Sequence, residues 1–268
     1  MRTLETLIVT TPHDHVRVVR LNRPKQMNAY STRMCEELYG ELDAYLKDDA
    51  LRVLVLTGEG RAFCAGGDVS NADDDRDHLM AQQLSHGREM RDGMHRVIQA
   101  LHHMDKPVIA AVNGAAVAGG LALALACDIR IADESAKLGD TSGRFGLLPD
   151  EGGAWLFPRA MGLDKALKMT LLAETYPARE AQALGLVTEV VAAGTALEAA
   201  LAMATRLAAQ SPLAARLAKA MMVQGLGMTL EQSHREAALS VMIANESDDV
   251  KEGVRAFFKK ETPSFTGH

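Results

Sequence analysis

The sequence predicts an α/β fold: buried parallel strands alternating with helices, followed by a helical C-terminal region. Three observations carry this expectation. Short, continuously apolar runs bounded by turn residues recur over roughly 1–190 and alternate with segments of helical period, the pattern of a sheet covered on both faces. Two of the runs lead into glycine-rich turns, AFCAGGD at 62–68 and AVAGGLALA at 116–124. From residue 196 onward the apolar runs give way to helical spacing punctuated by cap signals. On this reading the chain divides into a core, 1–195, and a helical region, 196–268.

Taken in order, 6–10 and 16–21 read as strands, with His13, Asp14 and His15 as the hairpin turn between them. LNRPKQMNA follows, punctuated by Asn and Pro. Ser31 or Thr32 caps a helix to about Lys47, with Cys35, Leu38, Leu42 and Tyr45 or Leu46 at helical spacing. VLVLT at 53–57 is a buried strand, and GEGRAFCAGGD is its glycine-rich sequel. NADDDRD is a charge-dense link. From 78 to 104, Leu79, Met80, Leu84, Met90, Met94, Val97, Ile98 and Leu101 recur at threes and fours, one amphipathic helix with a possible break near Gly87 or Gly93. Lys106 and Pro107 close it. A strand at 108–112, a helix at 121–126 and a strand at 129–132 come next. LGDTSGRFGLLPDEGG is a loop leading into a helix from about Ala154. The last part is helical: 196–210, then a helix with Ser211 as N-cap and Pro212 at its first position, a capping box from Thr229 to Gln232, and a final helix opened by Ser247 that carries Phe257 and Phe258.

The composition excludes several classes. A chain of 268 residues with 47% apolar and 24% charged residues has the balance of a soluble globular protein and can bury a sizeable core. A net charge of −6 with no basic run argues against a nucleic-acid surface. The stretch 108–127 is uncharged and long enough to cross a bilayer, but Asn113, Gly114, Gly119 and Gly120 interrupt it, and strand, turn and buried helix are expected instead. The 3 cysteines, Cys35, Cys64 and Cys127, are widely spaced without a CxxC. Neither a disulfide framework nor a zinc site is expected, and a reducing, cytoplasmic location is. No signal peptide is expected, because the first residues lack a long apolar run.

The two glycine loops invite a chemical reading. Glycine allows close backbone approach and positive φ, and a helix start leaves N–H groups without internal partners. Two such donors aimed at one oxygen would form an oxyanion hole. Two tight turns are the alternative. Neither loop is a Walker A motif, because the Gly-Lys-Ser/Thr ending is absent.

The series LNRPKQMNA, VLTGEGRAFCAGGDV, KPVIAAVNGAAVAGGLALALACDIRIA, FGLLPDEGG and EGVRAFFKKETPSF, in this order over nearly the whole chain, resembles the crotonase family, also called the enoyl-CoA hydratase/isomerase superfamily. The resemblance implies stacked ββα units with a C-terminal helical trimerisation region, assembling as trimers often paired into hexamers. It implies an acyl-CoA thioester whose carbonyl oxygen sits between two backbone N–H groups, here Gly67 and Gly119. It places Lys25, Ala65, Gly66, Asp68 and Val69 along the coenzyme A path, with Lys260 reaching a phosphate on its own or a neighbouring subunit. The coenzyme is part of the substrate; no further cofactor, no metal, no nucleic acid and no membrane is implied.

The hydratases of this family use two carboxylates. By resemblance their positions fall at Ala122 and Ser142 in this chain, and neither can serve as a general base near neutral pH. The acids that remain nearby are in the PDEGG turn. Asp150 stands at the position where some isomerases of the family, including the epoxyphenylacetyl-CoA type, keep a single acid. One base suffices to move a double bond, taking a proton from one acyl carbon and returning it to another. Asp150 as a helix N-cap, Glu151 as the acid instead, and Asp140 within loop reach are the competing readings. His86, His95, His102 and His103 read as surface or core polar residues, and Trp155 and the helix methionines as pocket lining or core. Double-bond isomerisation is therefore expected. Hydratase, lyase or hydrolase chemistry of the same family, or a non-catalytic acyl-CoA-binding subunit, are the alternatives. The acyl group itself is not specified by the sequence.

Overall fold

In the computed structural model, which describes residues 1–68 and 83–268, the chain opens with a meander of β1 (Arg2–Thr3), β2 (Leu7–His13) and β3 (Val16–Leu21), antiparallel in sequence order. Then come α1 (Thr32–Lys47), β4 (Val53–Gly58), β5 (Ala62–Cys64), α2 (Gln83–Asp92), α3 (Met94–His103), β6 (Val108–Val112), β7 (Ala115–Val117) and α4 (Gly119–Ala126). They are followed by β8 (Ile129–Asp133), β9 (Lys137–Gly139), α5 (Gly153–Met161), α6 (Leu163–Leu171), β10 (Thr175–Pro177), α7 (Ala178–Ala183) and β11 (Glu189–Val191). The C-terminal helices are α8 (Ala196–Ala208), α9 (Pro212–Gly225), α10 (Leu230–Asn245) and α11 (Asp248–Lys259).

The larger sheet has the order β1-β2-β3-β4-β6-β8-β11, with β3 onward parallel. Alternation of side chains between two covered faces explains why β4 and β6 are buried at every position. Val53, Val55, Ile109 and Ala111 face α8, whose Ala196, Ala200, Ala204 and Ala208 let helix and sheet approach closely. Leu54, Leu56, Val108, Ala110 and Val112 face the opposite way, into the main core with α1, α3 and α4.

The smaller sheet has the order β10-β9-β7-β5. Each of β5, β7 and β9 follows a strand of the larger sheet after a short turn, so the chain steps from one sheet to the other three times. These are the stacked ββα units of the crotonase fold. The steps are tight: a Cβ on Gly58 or Gly114 would overlap the carbonyl of Ala62 or Arg61.

Several expectations are met in detail. The break in the 78–104 helix falls at Gly93, between α2 and α3; Leu79 and Met80 lie outside the described residues. The Thr229–Gln232 capping box forms, and Ser211 and Ser247 cap α9 and α11. The uncharged 108–127 stretch is two strands and a helix, and no helix among the described residues is long and apolar enough to cross a membrane. The short strands β5, β7 and β9 fall in stretches that the sequence presents as loop or turn. Met222, Leu226, Leu230, Met242, Phe257 and Phe258 leave large exposed apolar surface on α9–α11.

Candidate active site

Strands β5, β7 and β9 lie side by side and parallel, so their carboxyl ends emerge together. The residues after each end are thereby gathered: 65–68 after β5, Ala118 and Gly119 after β7, and Asp140 to Ser142 after β9. Ala118 N–H donates to Gly139 O at 3.0 Å, joining the second loop to the third. A Cβ built on Gly66 would lie 3.1 Å from Ala118 Cβ and 3.5 Å from the Gly119 nitrogen, so the two glycine loops touch.

Gly67 is held by a short parallel pairing with the segment before α1. Tyr30 N–H donates to Gly66 O at 2.8 Å and Asp68 N–H donates to Tyr30 O at 3.0 Å. These bonds use the groups flanking Gly67, and the ladder geometry turns the Gly67 N–H away from Tyr30's backbone. The Arg23 guanidinium fixes the end of the loop, donating to Asp68 Oδ2 at 2.6 Å and to Ala29 O at 2.5 Å.

The glycine pair of the second loop does two jobs. Gly120 lets α4 lie on β5, since a Cβ there would overlap the Cys64 carbonyl. Gly119 opens α4, where free N–H groups carry partial positive charge. A Cβ on Gly119 would come to 2.5 Å from Glu151 Oε1 and 2.7 Å from Tyr30 Cε1. The turn into the helix is made by Ala118 at φ 50°, a conformation that costs a non-glycine residue about 1–3 kcal/mol and marks backbone held for a purpose beyond packing.

Glu151 is the carboxyl group at the centre of this arrangement. It is 6% exposed. Its Oε1 accepts from the Tyr30 hydroxyl at 2.7 Å, and its Oε2 is buried with no partner among the described residues. Burial pushes its pKa above the usual carboxylate range; the Tyr30 hydrogen bond opposes that shift, and Asp150 and Asp140 add to it. Burial, then Glu151, pushes the Tyr30 phenol well above its ordinary value, which keeps it a donor.

Asp150 is exposed at the cavity lining. Its carbonyl meets His95 Nε2 at 2.7 Å. The expectation that Asp150 could cap the next helix is corrected: the N-cap of α5 is Gly152, at φ 128°. Asp140 is fully buried, and its Oδ1 accepts from the Ser142 hydroxyl at 2.6 Å. Ala122 is wholly buried within α4 and offers the cavity nothing polar.

A cavity of about 570 Å³ opens in front of these groups. Lys25, Ala65, Gly67, Asp68, Ser142, Asp150 and Glu151 all line it, together with Met90 and Met94. Gly66 stands behind the lining, against Ala118. Val69 lies outside the described residues. Lys260 is the left-handed residue ending α11 and is not among the lining residues of its own chain. Trp155 is corrected as a pocket candidate: its ring stacks under Arg159 at 3.7 Å and meets His102 at 4.8 Å, and it is not among the lining residues.

Sequence reasoning missed Tyr30 and the contact of His95. Tyr30 directly follows LNRPKQMNA and precedes the Ser31 cap, a place where an aromatic residue between loop and helix could have been flagged. Nothing in the local sequence pairs His95 with residue 150.

The family described as enoyl-CoA hydratase/isomerase matches residues 12–268. The 1,2-epoxyphenylacetyl-CoA isomerase of Escherichia coli is 36% identical over 94% of this chain and 95% of its own. The 2,3-dehydroadipyl-CoA hydratase of the same organism is 33% identical over 97% of this chain and 98% of its own. The crystal structure of an enoyl-CoA hydratase from Bacillus anthracis superposes with a TM-score of 0.92 at 32% identity, covering 98% of this chain and all of that one.

Proposed function

Since the chain belongs to the enoyl-CoA hydratase/isomerase family, and so to enzymes of acyl-CoA thioesters, we propose that it shifts a double bond through a thioester enolate, with Glu151 moving the proton. The observation that carries this reading is the placement of the Glu151 carboxyl against Gly119. In the proposed reaction the thioester oxygen accepts from the Gly67 and Gly119 N–H groups. Glu151 takes a proton from an acyl carbon, and the electron pair moves into the thioester, leaving negative charge on that oxygen. The same carboxyl returns the proton to a different carbon as the enolate collapses. Atoms and electrons balance with the thioester alone, and no redox group or metal enters.

Two features suit Glu151 better than Asp150. Burial raises its proton affinity toward that needed for work near neutral pH. Its buried Oε2 has no competing partner among the described residues. Lys25, Ala65 and Asp68 would lie along the coenzyme A moiety, and Lys260 would serve a neighbouring subunit. The exposed apolar faces of α9–α11 support self-association as a trimer or hexamer. The buried free thiols, all pushed up to about 12 by burial, fit a reducing compartment.

Hydration is the second reading, favoured by the hydratase names among the relatives. It would need a group to activate water, which Ala122 does not supply.

The test is deuterium exchange at the acyl α- and γ-carbons, and double-bond migration, over a small acyl-CoA panel in D2O. Wild type is compared with Glu151→Gln and Asp150→Asn. Exchange lost in Glu151→Gln and kept in Asp150→Asn is expected. The reverse result moves the proton to Asp150, and no exchange with thioesters that bind sinks the enolate reading.

A further inference from the structure

Ser142 lines the cavity, yet its hydroxyl proton points out of it. The Oγ–H donates to Asp140 Oδ1 at 2.6 Å, and the Ser142 amide donates to the same oxygen at 3.0 Å. An amide N–H can only donate, so Oδ1 is held as an acceptor. A hydroxyl has one proton, and the bond to Asp140 uses it. What remains for the cavity is the lone-pair side of Oγ. Asp140 is 0% exposed, and its Oδ2 has no partner among the described residues, so nothing nearby competes to release the serine. A hydrogen bond of this length is typical of a carboxylate acceptor, and it makes Oγ a better acceptor toward a third group.

The surrounding wall sharpens the point. Phe145, Leu147 and Leu148 line the cavity beside Ser142 and are apolar; Thr141 and Arg144 line it too, with the Arg144 guanidinium donating to the Ala173 carbonyl at 2.9 Å. An acceptor as buried as Ser142, 4% exposed, discriminates strongly, because a ligand lacking the donor leaves it unpaired.

We propose that Ser142 is the specificity-determining contact of the acyl cavity and accepts a hydrogen bond from a neutral O–H donor, either a hydroxyl on the acyl group or a water held beside it. The acyl groups that fit are then hydroxylated ones, or plain ones that bind together with one ordered water. This rests on the acyl-CoA reading of the same cavity and adds the polarity of its ligand.

The experiment uses the full chain and matched pairs of acyl-CoA thioesters that differ by one hydroxyl, compared in wild type, Ser142→Ala and Ser142→Thr, with the reactions also run in 18O-labelled water. Thermal unfolding is followed alongside. If the acyl hydroxyl is the donor, wild type favours one hydroxylated thioester by about 10-fold in kcat/KM, the ratio falls to about one in Ser142→Ala, and Ser142→Thr restores part of it. If water is the donor, there is no such preference, but Ser142→Ala loses about 10-fold on the plain thioesters and Ser142→Thr recovers it; the label then tells whether that water adds to the chain. Equal kcat/KM on every pair in wild type and in a folded Ser142→Ala overturns the proposal. Glu151→Gln serves as the separate control: full turnover in that variant removes Glu151 as the base while the Ser142 ratios still decide this proposal.

Discussion

The Tyr30 hydroxyl donates to Glu151 Oε1 at 2.7 Å across 121 residues of sequence, and a side chain on Gly119 would collide with both groups. One aromatic ring therefore touches the proposed base and the proposed oxyanion donor together. The backbone of the same residue pairs with the segment around Gly67, so small errors in the placement of Tyr30 would be felt at three points.

Tyr30→Phe removes the side-chain hydrogen bond that lowers Glu151's proton affinity, without emptying the space. The carboxyl pKa should rise further, because burial is then less opposed. The acid limb of the pH–rate profile is expected to move to higher pH, with roughly 10-fold lower turnover at neutral pH. A profile that superposes on wild type would show that the phenol does not tune the carboxyl.

Gly119→Ala and Gly120→Ala should fail differently. The first pushes a methyl into the Glu151 carboxyl and the Tyr30 ring, and turnover is expected to fall by about 100-fold or more, the loss seen when an oxyanion donor is removed. The second drives a methyl into the Cys64 backbone, so soluble yield and Tm should fall first. Circular dichroism melting beside kcat separates the two. Gly67→Ala, whose Cβ would sit 3.3 Å from the Tyr30 hydroxyl, should be milder than Gly119→Ala.

Glu151 should make stability depend on pH in a stated direction. Its carboxyl is raised in the folded protein by burial. A raised acid contributes its stability fully below the unfolded pKa and loses it as pH rises through the folded one. Glu151→Gln keeps a polar partner for Tyr30 and does not titrate. Its Tm relative to wild type should therefore climb from about pH 4 to about pH 8, by roughly 2–4 °C if about 1 kcal/mol is involved. A constant difference across that range would mean the carboxyl is not held above its ordinary value.

His95 holds the turn that presents Glu151. It meets the carbonyl of Asp150 at 2.7 Å, while Ile98 one turn later on α3 lies against Gly152. Both neighbours of the base are thus fixed to one helix. His95→Leu is expected to lower kcat by roughly 10-fold with KM changed less than about twofold, since a small misplacement of a reacting group is costly. His95→Gln, which can donate to the same carbonyl, should recover part of the loss. A loss in KM alone, or no recovery, would count against a positioning role.

The long apolar strands, the capped C-terminal helices and the two glycine loops were legible because each rests on local chemistry. A short continuous apolar run marks β4 and β6, and Thr229 with Gln232 makes a cap from neighbours three apart. The three-residue strands β5, β7 and β9 carry no readable period. Their pairing is made by residues more than twenty apart, so their role in gathering the loops became visible only with the sheet assembled.

What the sequence determined by itself was the α/β core, the helical end, the two glycine loops, and the absence of an acid at 122 and 142. What only the tertiary structure decided was which atoms face the cavity. Asp150 and Glu151 are adjacent, acidic and equal in any local reading. They differ because the turn between Pro149 and Gly152, pinned to α3 by His95, leaves Asp150 exposed at the cavity lining and buries the Glu151 carboxyl against Gly119 and Tyr30. Side-chain direction in a turn is set by backbone contacts to distant elements, and those contacts do not exist until the chain has folded.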